Sequence, residues 1–285
     1  ISIPESVTDI GSGAFGNCPA LTAITVAEGN TAYCSDGGIL FSKDKTTLVK
    51  YPEGKPETSY AIPAGVTAVE NSALTGYSTA PEGALTIPAG VEYDGTEYSV
   101  TSIGNKALAG CTSLTEITVP DAVTTIGNSA FSGCTKLAAV ALGNGVSNIG
   151  DEAFSGCTAL TEITLPNSVR LIGKSAFSGC SALEKATLGS SVRILSDWAF
   201  YGCEALAEMT VLATEPPMAS ANTFANVSRS IPVYVPKASL EAYRAANVWN
   251  EFNLKEPPFV AGNLKYSVSD ASALTVEVIG CTDNP

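Results

Sequence analysis

Cysteine is the residue whose spacing first suggests chemistry. Cys111, Cys134, Cys157, Cys180 and Cys203 fall 23 residues apart, with Cys18 in the equivalent place upstream. Grouped thiols can cross-link, bind a soft metal or carry redox chemistry. The constant step argues against cross-links, because residues stacked in successive coils lie about 4.7–5 Å apart, beyond the roughly 3.5–4.5 Å between Cβ atoms that a disulfide prefers. The column is expected to hold reduced thiols, acting as small hydrophobes at an inner corner. Cys34 and Cys281 lie outside it and receive no role. Histidine is absent, which removes the general base of Ser-His-Asp and Cys-His catalysis and every histidine-containing metal site. Asp151 and Glu152 are adjacent, so on a turn their carboxylates point apart rather than cooperate. Asp36-Gly37-Gly38 lacks the alternating oxygen ligands of a calcium loop. No catalytic residue, metal ligand or cofactor site is expected, and the chain is taken as a non-enzyme.

Binding chemistry has better candidates. In a strand spaced L-x-x-I-x-L, the residues flanking the central apolar position face outward. One outward column runs Thr25, Thr118, Ala141, Thr164, Thr187, Thr210; the other runs Ala23, Glu116, Ala139, Glu162, Lys185, Glu208. Together they make a flat, mildly acidic strip suited to a protein partner, although threonine is also simply a good exposed strand residue. A second candidate breaks the pattern. Where earlier units have Lys106, Ser129, Glu152 and Ser175, the last has Trp198; where they have Ala109, Ser132, Ser155 and Ser178, it has Tyr201. Three residues apart on a helical turn, the two rings share a face. Either they form an exposed stacking platform or protein anchor, or they seal the junction with a terminal cap; solvent exposure separates the two readings.

These residues are positioned by a repeat. Units beginning ALAGC, AFSGC, AFSGC, AFSGC and AFYGC start at 107, 130, 153, 176 and 199. A period of this length means a solenoid, in which each coil buries its apolar face only against the next. Val123, Val146, Val169 and Val192, in step with Ile126, Ile149, Ile172 and Leu195, predict a short second strand ending at glycine. Gly104, Gly127, Gly150 and Gly173 are expected to permit a sharp or left-handed turn. Ala-Phe/Leu then plugs the core within about one helical turn, and Leu114, Leu137, Leu160, Leu183 and Leu206 open the next strand. Pro120 and Pro166, matched by Gly143 and Gly189 elsewhere, close it.

The expected solenoid spans 1–211, with hairpin insertions at about 28–61, around Ser42 to Thr46, and at 92–99, around Asp94-Gly95. A coil is also expected from Ile62 to Leu74, with Tyr77 replacing the columnar cysteine. Residues 212–254 are expected to form a cap, with an amphipathic helix after Pro236 presenting Leu240, Tyr243, Trp249 and Phe252. Residues 255–285 are expected to be a linker and two short strands opening a further module. Ile1 falls in mid-coil, with neither an initiator Met nor a signal peptide before it, so further residues are expected upstream in the natural protein.

The pattern AFxGCxxLTxIxLPxSVxxIG resembles the bacterial leucine-rich repeats of the BspA, or treponeme, type. DGGILFSKDKTTLVKYP resembles that family's hairpin-bearing coil, and YVPKASLEAYRAANVW its terminal cap. The resemblance implies a right-handed, β-rich leucine-rich-repeat coil of period 23 with short helical turns. It also implies a secreted or surface-anchored protein of a Bacteroides-like or similar bacterium that adheres to host proteins or other cells; it implies no particular ligand.

Composition narrows the partners. Fifteen basic against 28 acidic residues give a net charge of −13, which repels nucleic acid and anionic lipid. No apolar run approaches the roughly 18 residues that a membrane span needs. A protein or glycan on a host or neighbouring cell is the expected ligand. Alternatives are a structural spacer for another module, or carbohydrate capture by Trp198 with Tyr201, or by Tyr93 with Tyr98. Oligomeric state is left open.

Overall fold

The computed structural model describes residues 1–55 except 12 and 17, short stretches between 66 and 100, all of 101–257, and the strands 259–261, 264–270 and 275–281. The 23-residue unit folds as one coil of a parallel β-solenoid. Each coil contributes a two-residue strand, a chain of tight turns and a longer strand. The short strands Ser102–Ile103, Thr125–Ile126, Asn148–Ile149, Leu171–Ile172 and Ile194–Leu195 stack in parallel and in register. Their ladder continues through Ala68–Val69 to Thr47–Lys50, then turns antiparallel through Ile39–Ser42 and Tyr33–Asp36. The longer strands form a second ladder in two segments. One joins Gly83–Thr86, Leu114–Val119 and Ala139–Leu142; the other joins Glu162–Thr164, Lys185–Leu188, Glu208–Val211, Pro232–Tyr234 and Asn253–Lys255.

The turns form a third ladder that local sequence rules do not announce. Ser129, Phe131 and Gly133 each donate their backbone N–H to the next coil, at Asp151, Ala153 and Ser155, all at 2.7 Å. No helix forms here; instead Ser132 donates to Ser129 at 3.1 Å and Cys134 to Phe131 at 3.2 Å, as in successive turns. The turns need two left-handed residues per coil, but not the expected ones. Gly133, Gly156 and Gly179 take positive φ, as do Ser129, Glu152, Ser175 and Trp198. Gly127, Gly150 and Gly173 do not; a Cβ on any of them would lie 2.6–2.7 Å from the turn of the preceding coil. Their job is close approach of coil to coil, not left-handed backbone. Gly143 and Gly189 are required for the same reason, since a Cβ there would strike the carbonyl of Pro120 or Pro166 one coil back.

Inside, each apolar column becomes a continuous stack. Phe131, Phe154, Phe177, Phe200 and Phe224 are wholly buried, with successive centroids 5.0–5.6 Å apart and planes within 13° of parallel. The stack carries the solenoid past Leu212, where the sequence repeat fades. Pro232–Tyr234 and Asn253–Lys255 add two more parallel strands at 212–254. The helix there is brief, Leu240–Ala245. Beside it, Trp249 and Phe252 meet Phe224 edge-on, at 68° and 82°.

The insertion upstream has three strands rather than two, because Tyr33–Asp36 joins the expected pair. The second hairpin pairs Gly90–Tyr93 with Thr96–Ser99, matching Val91 to Tyr98 and Tyr93 to Thr96; the side chains of Tyr93 and Tyr98 lie outside the described ones. Most of 62–74, and Tyr77, lie outside the described residues. Phe259–Ala261, Leu264–Asp270 and Thr275–Cys281 form a separate antiparallel sheet, three strands where two were expected.

Candidate ligand-binding surfaces

The outward columns of the longer strands are in register. Glu116 pairs with Ala139 and Thr118 with Ala141; Glu162 pairs with Lys185 and Thr164 with Thr187; Lys185 pairs with Glu208 and Thr187 with Thr210. The alternation that points these residues outward comes from the intervening Ile117, Ile163, Ala186 and Met209, all buried against the core. Glu116, Glu162, Thr164 and Lys185 are exposed, whereas Thr118, Thr187, Glu208 and Thr210 are partly covered by their neighbours. Lys185 Nζ lies 3.8 Å from Glu208 Oε1, a loose surface pair that leaves both charges in water. The strip extends further than the repeat suggested, since Thr210 pairs with Tyr234 and Tyr234 with Lys255. The alternation in Ile231-Pro232-Val233-Tyr234-Val235 is the signal that could have found this extension. Burial, with Glu208 nearby, raises the Tyr234 phenol above its ordinary value.

Trp198 and Tyr201 sit on a different part of the coil, on the turn ladder. Trp198 is 37% and Tyr201 42% exposed. Trp198 is left-handed, φ 58°, and Tyr201 N–H donates to its carbonyl at 3.0 Å. With Ser175 and Ser178 of the preceding coil they line an open depression of about 380 Å³. Lys174 Nζ lies 4.9 Å from the Trp198 ring centroid, which holds the ring through a cation–π contact. The end of the solenoid is sealed by other aromatics. Trp249, 1% exposed, donates its indole N–H to the Pro217 carbonyl at 2.7 Å, and buried Tyr243 donates its hydroxyl to Ala213 at 2.9 Å.

The described thiols are all free. Cys134, Cys157, Cys180 and Cys203 each donate S–H to a carbonyl of the coil before, those of Leu108, Phe131, Phe154 and Phe177, at 3.1–3.3 Å. The column thus satisfies carbonyls while it fills space. Burial pushes the Cys180 thiol up to about 12 and raises Cys157 and Cys203 as well, with Cys180 adding to both shifts. Such thiols stay protonated and unreactive at neutral pH. Cys34, half-buried, donates to the Ser42 carbonyl at 3.1 Å. Among the described residues no group of three or more His, Cys, Asp or Glu side chains is placed to hold a metal ion, and no helix is long and apolar enough to cross a membrane.

A parallel solenoid with consecutive leucine columns, a left-handed turn in each coil and its polar residues on the outer faces is a leucine-rich-repeat protein. The chain belongs to the BspA type leucine rich repeat family, whose pattern matches six times over residues 1–52 and 96–229. Solved structures share the fold. The pneumococcal vaccine antigen PcpA is 24% identical at a TM-score of 0.61, over 90% of this chain and 56% of its own. A leucine-rich repeat protein of Eubacterium ventriosum is 24% identical at 0.62, over 92% and 61%. A leucine rich cell surface protein of Faecalibacterium prausnitzii is 26% identical at 0.51, over 80% and 51%. The chain therefore spans between half and two thirds of the length of these structures. No curated protein matches it.

Proposed function

We propose that this chain is a non-catalytic binding segment of a bacterial surface protein, exposed outside the cell, which adheres to a protein of a host or neighbouring cell through its strand face. The observation that carries this reading is the register of the outward columns. Glu162, Thr164, Lys185, Thr187, Glu208 and Thr210 stand on consecutive rungs of one rigid ladder. A protein meeting that strip finds side chains already ordered by the backbone beneath them, so little conformational entropy remains to be lost on binding. The names of the PcpA and Faecalibacterium structures, a vaccine antigen and a cell surface protein, support a surface location.

The test is binding of the purified chain to an array of extracellular-matrix proteins, beside a Glu162→Lys/Thr164→Arg variant. Both substitutions lie on exposed positions, and the like charge set opposite Lys185 costs roughly 0.2–1 kcal/mol, so thermal melting should fall only slightly. Saturable binding that the variant loses supports the strand face. Binding that survives the variant removes the strand face from the proposal, and a chain that binds no protein acts as a spacer instead.

A further inference from the structure

We propose that Trp198, Tyr201, Ser175 and Ser178 form a binding site for a neutral saccharide, separate from the strand face and independent of the protein-binding reading above. Both rings stay partly exposed because their neighbours along the solenoid are short, although Lys174 lies over one face of Trp198. The preceding coil supplies Ser175 and Ser178 in the matching places. In the following coil, Gly202 N–H donates to Ala225 just as Gly179 donates to Tyr201, which puts Ala225 beside Tyr201 and Asn222 beside Trp198. Bulky rings flanked by a hydroxyl-bearing floor, rather than by aliphatic side chains, are a poor apolar anchor. They suit a ligand that is itself two-sided, with a C–H face for the rings and hydroxyls at its rim, which is the chemistry of a pyranose.

The polar atoms such a ligand needs are available. Among the described residues, the Trp198 indole N–H, the Tyr201 hydroxyl and the two serine hydroxyls are engaged with no other protein group. The depression, about 380 Å³ and open to solvent, lies at the low end of the range that holds a small molecule. Its surroundings select against an anionic sugar. Asp151, Glu152 and Asp197 are exposed close by on the same turn ladder, and the cation at hand, Lys174, already lies over the Trp198 ring. The turn itself does not call for a ring, since the preceding coils place Lys106, Ser129, Glu152 and Ser175 at the same left-handed position, at φ 54–57°.

The test uses calorimetric titration of the whole chain with neutral oligosaccharides built from glucose, xylose, galactose and N-acetylglucosamine, and with oligogalacturonate and sialyllactose as anionic probes. Trp198→Ser is the decisive variant, since it restores the residue used at Ser129 and Ser175 and should melt no lower than the parent. Saturable heat from at least one neutral oligosaccharide, lost in Trp198→Ser and weakened about tenfold in Tyr201→Ser, is the expected result. Fluorescence locates the ligand, because Trp198 is exposed and Trp249, the chain's other tryptophan, is 1% exposed; a sugar at this site shifts only the exposed emission. No heat from any neutral sugar, unaltered binding by Trp198→Ser, or tighter binding of the anionic probes would each overturn the proposal. The Glu162→Lys/Thr164→Arg variant should bind the sugar like the parent, so loss of protein adhesion and loss of sugar binding are told apart.

Discussion

Phe154 and Phe224 occupy the same column, yet they meet their next neighbours differently. Phe154 faces Phe177 at 5.3 Å with planes 2° apart, whereas Phe224 meets Trp249 at 5.5 Å and 68°. In the regular coils each ring offers its successor an identical parallel surface, so nothing in the stack specifies where it stops. At the C-terminal turn the ring surface is met by an edge, and the indole N–H and Tyr243 hydroxyl satisfy carbonyls that a further coil would otherwise bond. A solenoid thus propagates by repetition and ends by rotating one layer of its own core.

Cutting the stack in its middle should cost most. Phe154→Ala leaves a cavity between two coils that cannot close without breaking three backbone ladders, and the expected loss is about 4 kcal/mol. Denaturant unfolding checks it, and a loss below about 1 kcal/mol would mean that the stack contributes shape rather than stability.

The thiol column predicts a second large effect, confined to the regular coils. Cys157, Cys180 and Cys203 have pKa values raised by burial above the ordinary 9.0. Their contribution is fully present below the unfolded value and is lost as pH rises through it towards the folded one, because the unfolded chain ionises first. At pH 10 three such thiols should lower stability by about 4 kcal/mol relative to pH 7. Melting followed between pH 7 and pH 10 should show this decline, and Cys157→Ala should flatten it by about a third. A pH profile that the substitution leaves unchanged would assign the decline to other groups.

Replacing the rotated layer is expected to cost less. Trp249→Phe keeps an aromatic ring but strands the Pro217 carbonyl and underfills the site, for a loss of about 2 kcal/mol. If this variant proves less stable than Phe154→Ala, the end rather than the stack limits stability.

How much of this was legible follows from the same contrast. The regular coils are written in their columns: five cysteines, the Ala-Phe plugs and the leucines name the core, and alternation names the outward strip. Local rules misplace the glycines, because Gly127 looks like a turn former while its necessity lies 23 residues away, in the coil it touches. The two final strands were hidden for a related reason. Pro232–Tyr234 and Asn253–Lys255 keep the alternation but not the period, and only backbone pairing, of the first with Glu208–Val211 and of the second with the first, identifies them as further rungs. Trp198 and Tyr201 stood out as departures from a column, but whether they face water depends on the small residues of the coils on either side.

The strand face should contribute least to stability. Lys185 and Glu208 stand on adjacent rungs at 3.8 Å, 46% and 36% exposed at the side chain. Water screens both charges, and each long side chain loses rotamer freedom to hold the pair. A double-mutant cycle of Lys185→Ala and Glu208→Ala should therefore give a coupling of about 0.5 kcal/mol or less. A markedly larger coupling would mean that the outer columns help hold the coils together. A small one leaves stability to the buried stack and frees the outward residues to vary with whatever partner they meet.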